Sequence, residues 1–230
     1  MDFKQIPYLK QRDFVDPYKR QEKKGYHPLI KEEGHPWDTC MISARSMHLL
    51  FLKEIFSESP LKTFYKETIE EIYYQMICDY LEDNYLKKGI KNITRFSSAY
   101  HNEMLNKNFA ANKINYRYVS CKATIDNAKK ILSGTMPNSI PQPVIVGTDI
   151  SNFIALKQNE RPYQNGRGTS KGHIQVFVEV TPEGIVSKDP YGNAITSYKD
   201  HNGDNVLYPH KHLHLLLADY CLMIYLERIK

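Results

Sequence analysis

Apolar residues recur at helical spacing through Cys40, Ala44, Met47, Phe51 and Ile55, with Gly34 and Pro36 breaking the chain before them and Pro60 after. This stripe predicts a helix from about Cys40 to Phe56, capped by Asp38 or Thr39. A second stripe of Ile69, Ile72, Tyr73, Met76, Ile77 and Tyr80 predicts a helix within 61–86. Lys87-Lys88-Gly89 closes it, with cations in the last turn and a glycine suited to the left-handed cap. A third helix is predicted around 94–106 from Phe96, Tyr100, Met104 and Leu105. All three stripes have the character of core-facing surfaces rather than ligand contacts.

The period changes near Asn115. Residues 115–119 alternate as a strand, and Thr124 or Asp126 caps a short helix, 125–132, that Ser133-Gly134 ends. Pro143-Val144-Ile145-Val146-Gly147 is a short β-branched run typical of a buried strand. A polar connection, 149–171, follows, long enough inside a compact domain to suggest a functional loop. Residues 172–180 then alternate strongly, Pro182-Glu183-Gly184 turns the chain, and residues 185–188 return as the hairpin partner. Asp189-Pro190-Tyr191-Gly192-Asn193 ends that strand in a turn. A further strand pair is predicted from 205–208 and 220–228, with Pro209 starting a helical connection between them. Helices first and antiparallel strands after imply an α+β domain.

Composition narrows the class. The 230 residues suffice for a proper core, and 41% hydrophobic with 25% charged residues is ordinary for a globular chain. The formal charge of +5 is spread without a like-charge tail; even the densest patch, Lys19-Arg20-Gln21-Glu22-Lys23-Lys24, carries its own acid, so nucleic acid is not an indicated partner. Cys40, Cys78, Cys121 and Cys221 show neither zinc spacing nor the density of a disulfide scaffold. No membrane span and no signal-peptide core appears, so the expected location is cytoplasmic, with export by another route or a trimmed leader left open.

Three residues carry candidate chemistry. Cys40 falls on the first turn of its helix, where free N–H groups and the positive end of the macrodipole favour thiolate over thiol. The plain alternative is a small apolar residue at the start of a core helix. His173 opens one strand of the predicted hairpin and Asp189 closes the other, so the two sit at the same open end, nearly opposite each other. A carboxylate there fixes the imidazole tautomer and stabilises the imidazolium. His210, His212 and His214 alternate, but they are read as a solvated cluster rather than a metal site. Gly166-x-Gly168 lacks the strand-to-helix setting of a phosphate loop. Cys78, Cys121 and Cys221 are read as structural, so neither metal nor cofactor is expected.

Cys40 at a helix start with Met47 seven residues on, Gly172-His173 before an apolar strand, and Gly184-Ile185-Val186-x-x-Asp189-Pro190-Tyr191-Gly192 together resemble the papain-like cysteine peptidases related to the double-glycine leader peptidases of bacteriocin exporters. The resemblance covers roughly 35–230 and is most specific in the His–strand–turn–strand–Asp-Pro segment. It implies a Cys–His–Asp triad at Cys40, His173 and Asp189, and amide hydrolysis through an acyl-enzyme thioester. It implies a papain-like arrangement, with the nucleophile helix packed against the C-terminal sheet in one domain, 37–230; residues 1–36, rich in Lys, Arg, Pro, Gly and Tyr with no sustained period, are read as an extended arm. The family places Gly or Asn after the nucleophile and Ser four residues on, where this chain has Met41 and Ala44. It also carries a Gln about six residues before the cysteine as an oxyanion donor, where this chain has Gly34. Gln21, His35 and the Trp37 region are the candidates for that donor. The substrate class implied is a peptide or isopeptide, with peptidoglycan cross-bridges as one alternative and non-catalytic peptide binding on the same fold as another.

Overall fold

A computed structural model describes residues 2–9, 39–55, 98–150, 153 and 172–229. The elements are α1 (Thr39–Ile55), α2 (Ser98–Ala111), β1 (Tyr116–Lys122), α3 (Ile125–Ser133), β2 (Val144–Thr148), β3 (His173–Val180), β4 (Gly184–Lys188), β5 (Val206–Pro209), α4 (Leu213–Leu216) and β6 (Leu222–Arg228). The strands form one antiparallel sheet in the order β1-β6-β2-β3-β4-β5. The chain is thus α+β. The helix predicted within 61–86 lies outside the described residues.

Alternation along the central strands splits the core in two. Ile145, Val176, Val186, Ile224 and Leu226 join α1, α2 and the N-terminal Phe3 and Ile6 on one face. Val144, Val146, Phe177, Ile185, Met223 and Tyr225 join α3 and α4 on the other. The short α3 is defined by its ends. The Thr124 hydroxyl accepts from the Asn127 N–H at 3.1 Å, and Gly134 closes the helix at φ 72°. Any Cβ at Gly134 would also meet Pro141 at 2.5 Å.

Three expectations are corrected. The helix placed around 94–106 continues at its C-terminal end to Ala111, with Phe109 buried beyond the expected end. The strands at 205–208 and 220–228 do not pair with each other. β5 is the sheet edge beside β4, whereas β6 fills the gap between β1 and β2. The third concerns α1, which was read as having one apolar stripe. Ser43, Arg45, Ser46 and His48 are buried there as completely as Ala44 and Met47.

Two of them, Arg45 and His48, are tied to α2, to Tyr118 of β1 and, through Gln142, to β6. The Arg45 guanidinium lies 4.3 Å over the Tyr118 ring and donates to Asn102. Gln142 Oε1 accepts from the Leu226 N–H at 2.7 Å and its Nε2 donates to the Leu226 carbonyl at 2.8 Å, which fixes the amide orientation. His48 Nε2, 3.2 Å from the same Oε1, is therefore the protonated nitrogen, and Nδ1 accepts from the Tyr118 hydroxyl at 3.0 Å. Burial, then the nearby Arg45 charge, push the His48 pKa down to about 3, and the same two causes lower His101. Both rings are neutral in the fold and protonate readily only when it opens. The His48 contribution is full above about pH 6.5 and is lost as pH falls toward 3, a loss of order a few kcal/mol, and His101 acts in the same direction. Acid unfolding followed by circular dichroism should be steep in that window, and His48→Gln should flatten it. An unchanged slope would show that His48 is not the group titrating.

Candidate active site

The hairpin of β3 and β4 contains an irregularity that decides which face each side chain takes. From the turn, Val180 pairs with Ile185 and Glu179 with Val186, but Phe177 pairs with Ser187 and Val176 with Lys188. One extra residue, Val178, is therefore inserted in β3. Continuing that register, Asp189 falls across from Gln175. Without the bulge it would face Val176, on the opposite side of the sheet from His173. The bulge thus brings Asp189 to the His173 face, diagonal to it across the hairpin.

His173 Nε2 lies 2.6 Å from Asp189 Oδ1, and both residues are buried, the aspartate completely. With Nε2 donating to the carboxylate, Nδ1 is the nitrogen left to face a nucleophile. Cys40, also buried, hydrogen-bonds to the same imidazole. Burial alone would lower the His173 pKa. The Asp189 charge and hydrogen bond, followed by the Cys40 contact, outweigh it and raise the pKa to about 10. The imidazole is accordingly an imidazolium at neutral pH, held between a carboxylate and a sulfur.

The carboxylate itself is enclosed by donors. Oδ1 also accepts from the Tyr191 N–H at 3.0 Å. Oδ2 accepts from Tyr208 hydroxyl at 2.8 Å, Gln175 Nε2 at 3.1 Å and Tyr198 hydroxyl at 3.3 Å. Gln175 is oriented in turn by the Ser187 hydroxyl, which donates to its Oε1 at 2.9 Å. The Asp189 main chain is equally constrained. Its N–H donates to the Gly203 carbonyl at 2.8 Å, and its carbonyl accepts from the Tyr8 hydroxyl at 2.7 Å. A Cβ at Gly203 would sit 1.9 Å from that carbonyl, so only glycine allows the two strands of loop to lie this close. Residues 2–9 therefore join the two halves. Phe3 packs edge-on against Phe51 of α1 at 5.2 Å, the Lys4 carbonyl accepts from buried Lys188, and Tyr8 reaches the Asp189 main-chain carbonyl.

Of the residues singled out from sequence, Cys40, His173 and Asp189 come together. Gln21, His35 and Trp37, the candidate oxyanion donors, lie outside the described residues, as do Cys78, Gly166-x-Gly168 and most of the polar loop. Cys121 lies within β1 and buried Cys221 just before β6. His210 bonds the Thr181 carbonyl at 2.9 Å and His212 packs on Phe153. Among the described residues no group of three or more His, Cys, Asp or Glu is placed to hold a metal. None of their helices is long and apolar enough to cross a membrane. A groove of about 550 Å³ lined by Phe3, Lys129, Leu132 and Val178 lies toward the turn end of the hairpin and includes none of Cys40, His173 and Asp189.

Gln175, Tyr198, Tyr208 and Tyr8 were not anticipated. Gln175 left a usable signal, a polar residue two positions after His173 on the same face of an otherwise apolar strand. The tyrosines left none, since each reaches Asp189 through tertiary contact alone. Compared with family models, with curated proteins and with solved structures, the chain has no match in any of the three.

Proposed function

We propose that the chain is a papain-like thiol hydrolase that cleaves a peptide or isopeptide bond. The observation that carries this reading is one imidazole engaged on both sides, by Asp189 at 2.6 Å and by Cys40. The Cys40 sulfur attacks the carbonyl carbon and the carbonyl oxygen takes the negative charge. The imidazolium of His173 gives its Nδ1 proton to the leaving amine as the C–N bond breaks, leaving a thioester on Cys40. Water then attacks the thioester while His173 takes its proton. The C–S bond breaks, the acid leaves, and the thiolate–imidazolium pair is restored. Asp189 keeps the ring in the tautomer that leaves Nδ1 facing the sulfur, and its charge supports the imidazolium through both steps. At the first turn of α1 the Cys40 N–H supplies one donor to the oxyanion.

Cell-wall cross-bridges are the second substrate class, favoured because the +5 formal charge suits an anionic envelope. The test is hydrolysis by the purified chain of a peptide panel that includes Gly-Gly bonds, beside zymography on peptidoglycan, each with the Cys40→Ala chain as blank. Cys40-dependent cleavage of either is expected, and which substrate is cut assigns the class. Tight peptide binding with no turnover on any substrate would replace the hydrolase with a binding protein built on the same site.

A further inference from the structure

We propose that Tyr198 is a positioning residue of this site, its hydroxyl fixing the outer oxygen of the Asp189 carboxylate and its ring closing the flank of His173 against water. The inference rests on the hydrolase reading above and adds to it a residue that neither motif nor resemblance indicates.

The backbone is the first observation. Ser197 and Tyr198 are consecutive non-glycine residues in the left-handed region, at φ 53° and 61°. A bulky side chain is unfavourable there, and glycine would take either position without strain. The same loop does use glycine where only the main chain matters. Gly192 has φ 135°, and a Cβ there would meet the Asp200 carbonyl at 2.9 Å. Tyrosine at 198 is therefore kept for what its side chain reaches. The strained turn is held in place from below: the Asn193 carbonyl accepts the N–H groups of both Thr196 and Tyr198, at 3.1 and 3.0 Å. Strain sustained in this way marks a position whose conformation serves a site.

The side chain supplies the second observation. Its hydroxyl is 3.3 Å from Asp189 Oδ2, and its ring centroid is 6.3 Å from that of His173 at 82°. Tyr191 packs edge-to-face against Tyr198 at 4.7 Å and against His173 at 6.4 Å, so two perpendicular rings border the imidazole. Tyr208 and Gln175 hold the same carboxylate oxygen from within strands, whereas Tyr198 comes from the loop and is partly exposed. It is the member of the set placed between the ion pair and solvent. Burial and the Asp189 charge keep its hydroxyl protonated well above the ordinary range, so it remains a donor throughout the working pH.

Among the described residues, the titratable groups facing His173 are Asp189 beyond β4, Cys40 on α1, and Tyr191 and Tyr198 on the following loop, with Tyr208 of β5 behind the carboxylate. Loosening the carboxylate weakens the imidazolium's partner and lowers the pH at which its proton is lost, whereas admitting water relieves the burial that opposes the charge. Tyr198→Phe keeps the ring and removes the donor; Tyr198→Leu removes both. The experiment is the pH profile of Cys40 alkylation together with kcat and KM on the cleaved substrate, for the full chain and both variants. Tyr198→Phe should lower kcat about tenfold with little change in KM. It should also move the alkaline limb below the native midpoint of about 10, and by more than Tyr198→Leu does, because loss of the ring also relieves the burial that lowers the pKa. A native limb near that value which Tyr198→Phe leaves in place overturns the positioning role alone, even if activity falls in step with thermal stability. A native profile with no such limb overturns the site reading and this role with it.

Discussion

Alanine at position 40 is expected to reduce amide hydrolysis by at least about 10³-fold, to the background of uncatalysed cleavage, while the protein remains folded. The nucleophile in the proposed mechanism is one sulfur atom, and no other described cysteine is near the imidazole. Cys121 lies within β1, where burial raises its thiol pKa. Cys221 precedes β6, and burial lifts its pKa to about 11. Neither can substitute. The structural cost is small, since the change removes a single buried heavy atom at the edge of α1, worth about 1–2 kcal/mol. Hydrolysis measured beside thermal unfolding separates the two effects. Full activity in Cys40→Ala would remove Cys40 from the mechanism.

Asp189→Ala is expected to damage both activity and stability. Five donors converge on the carboxylate, from His173, Tyr191, Gln175, Tyr198 and Tyr208. Removing the acceptor leaves a buried imidazole without its counter-charge and several buried hydroxyl and amide groups without a partner. Breaking a buried pair from one side costs about 3–5 kcal/mol. Loss of the group that orients the imidazole lowers the rate by roughly 10²–10⁴. The pH dependence gives the sign. Because the folded His173 pKa is raised to about 10, its pairing stabilises the fold fully below about pH 6.5 and progressively less as pH rises through 10. In Asp189→Ala that alkaline loss should vanish from the stability curve, because burial then opposes the charge with no carboxylate to offset it. Asp189→Asn keeps an acceptor for His173 without the charge, and so tests the charge separately if the alanine variant is too unstable to assay. An alkaline loss of stability that persists in both variants would assign it to another group.

Much of this site was legible along the chain because its members sit at element boundaries. The cysteine follows a glycine- and proline-containing break and begins a helical period, and the described helix, Thr39–Ile55, falls on that period. His173 and Asp189 bracket a hairpin whose turn residues are unmistakable. The face on which Asp189 lies was not legible. Val176, Phe177, Val178 and Val180 are apolar on both sides of the sheet, so the usual alternation cannot report an inserted residue, and an ungapped hairpin places the carboxylate on the wrong face. The donors around Asp189 were hidden for a different reason. Tyr8 and Tyr208 are separated from it by 181 and 19 residues, and only the packed fold brings them to it. Arg45 and His48 were not singled out because a helix buried on nearly every side does not show the polar face that periodicity looks for. The pairing of β6 with β1 and β2 likewise follows from which strands still need a neighbour, a property of the whole sheet.

The central claim is that one imidazole couples a buried carboxylate to the sulfur of Cys40. Its most direct test is the rate of alkylation of each cysteine, resolved by mass spectrometry across pH 5 to 11. Cys40 should react well ahead of Cys121 and Cys221 at pH 6, because its sulfur is held as the partner of a protonated His173. Its profile should change again near pH 10 as that proton is lost. A Cys40 that gains reactivity only near pH 8.5, as an isolated thiol does, and shows no second step would contradict the coupling.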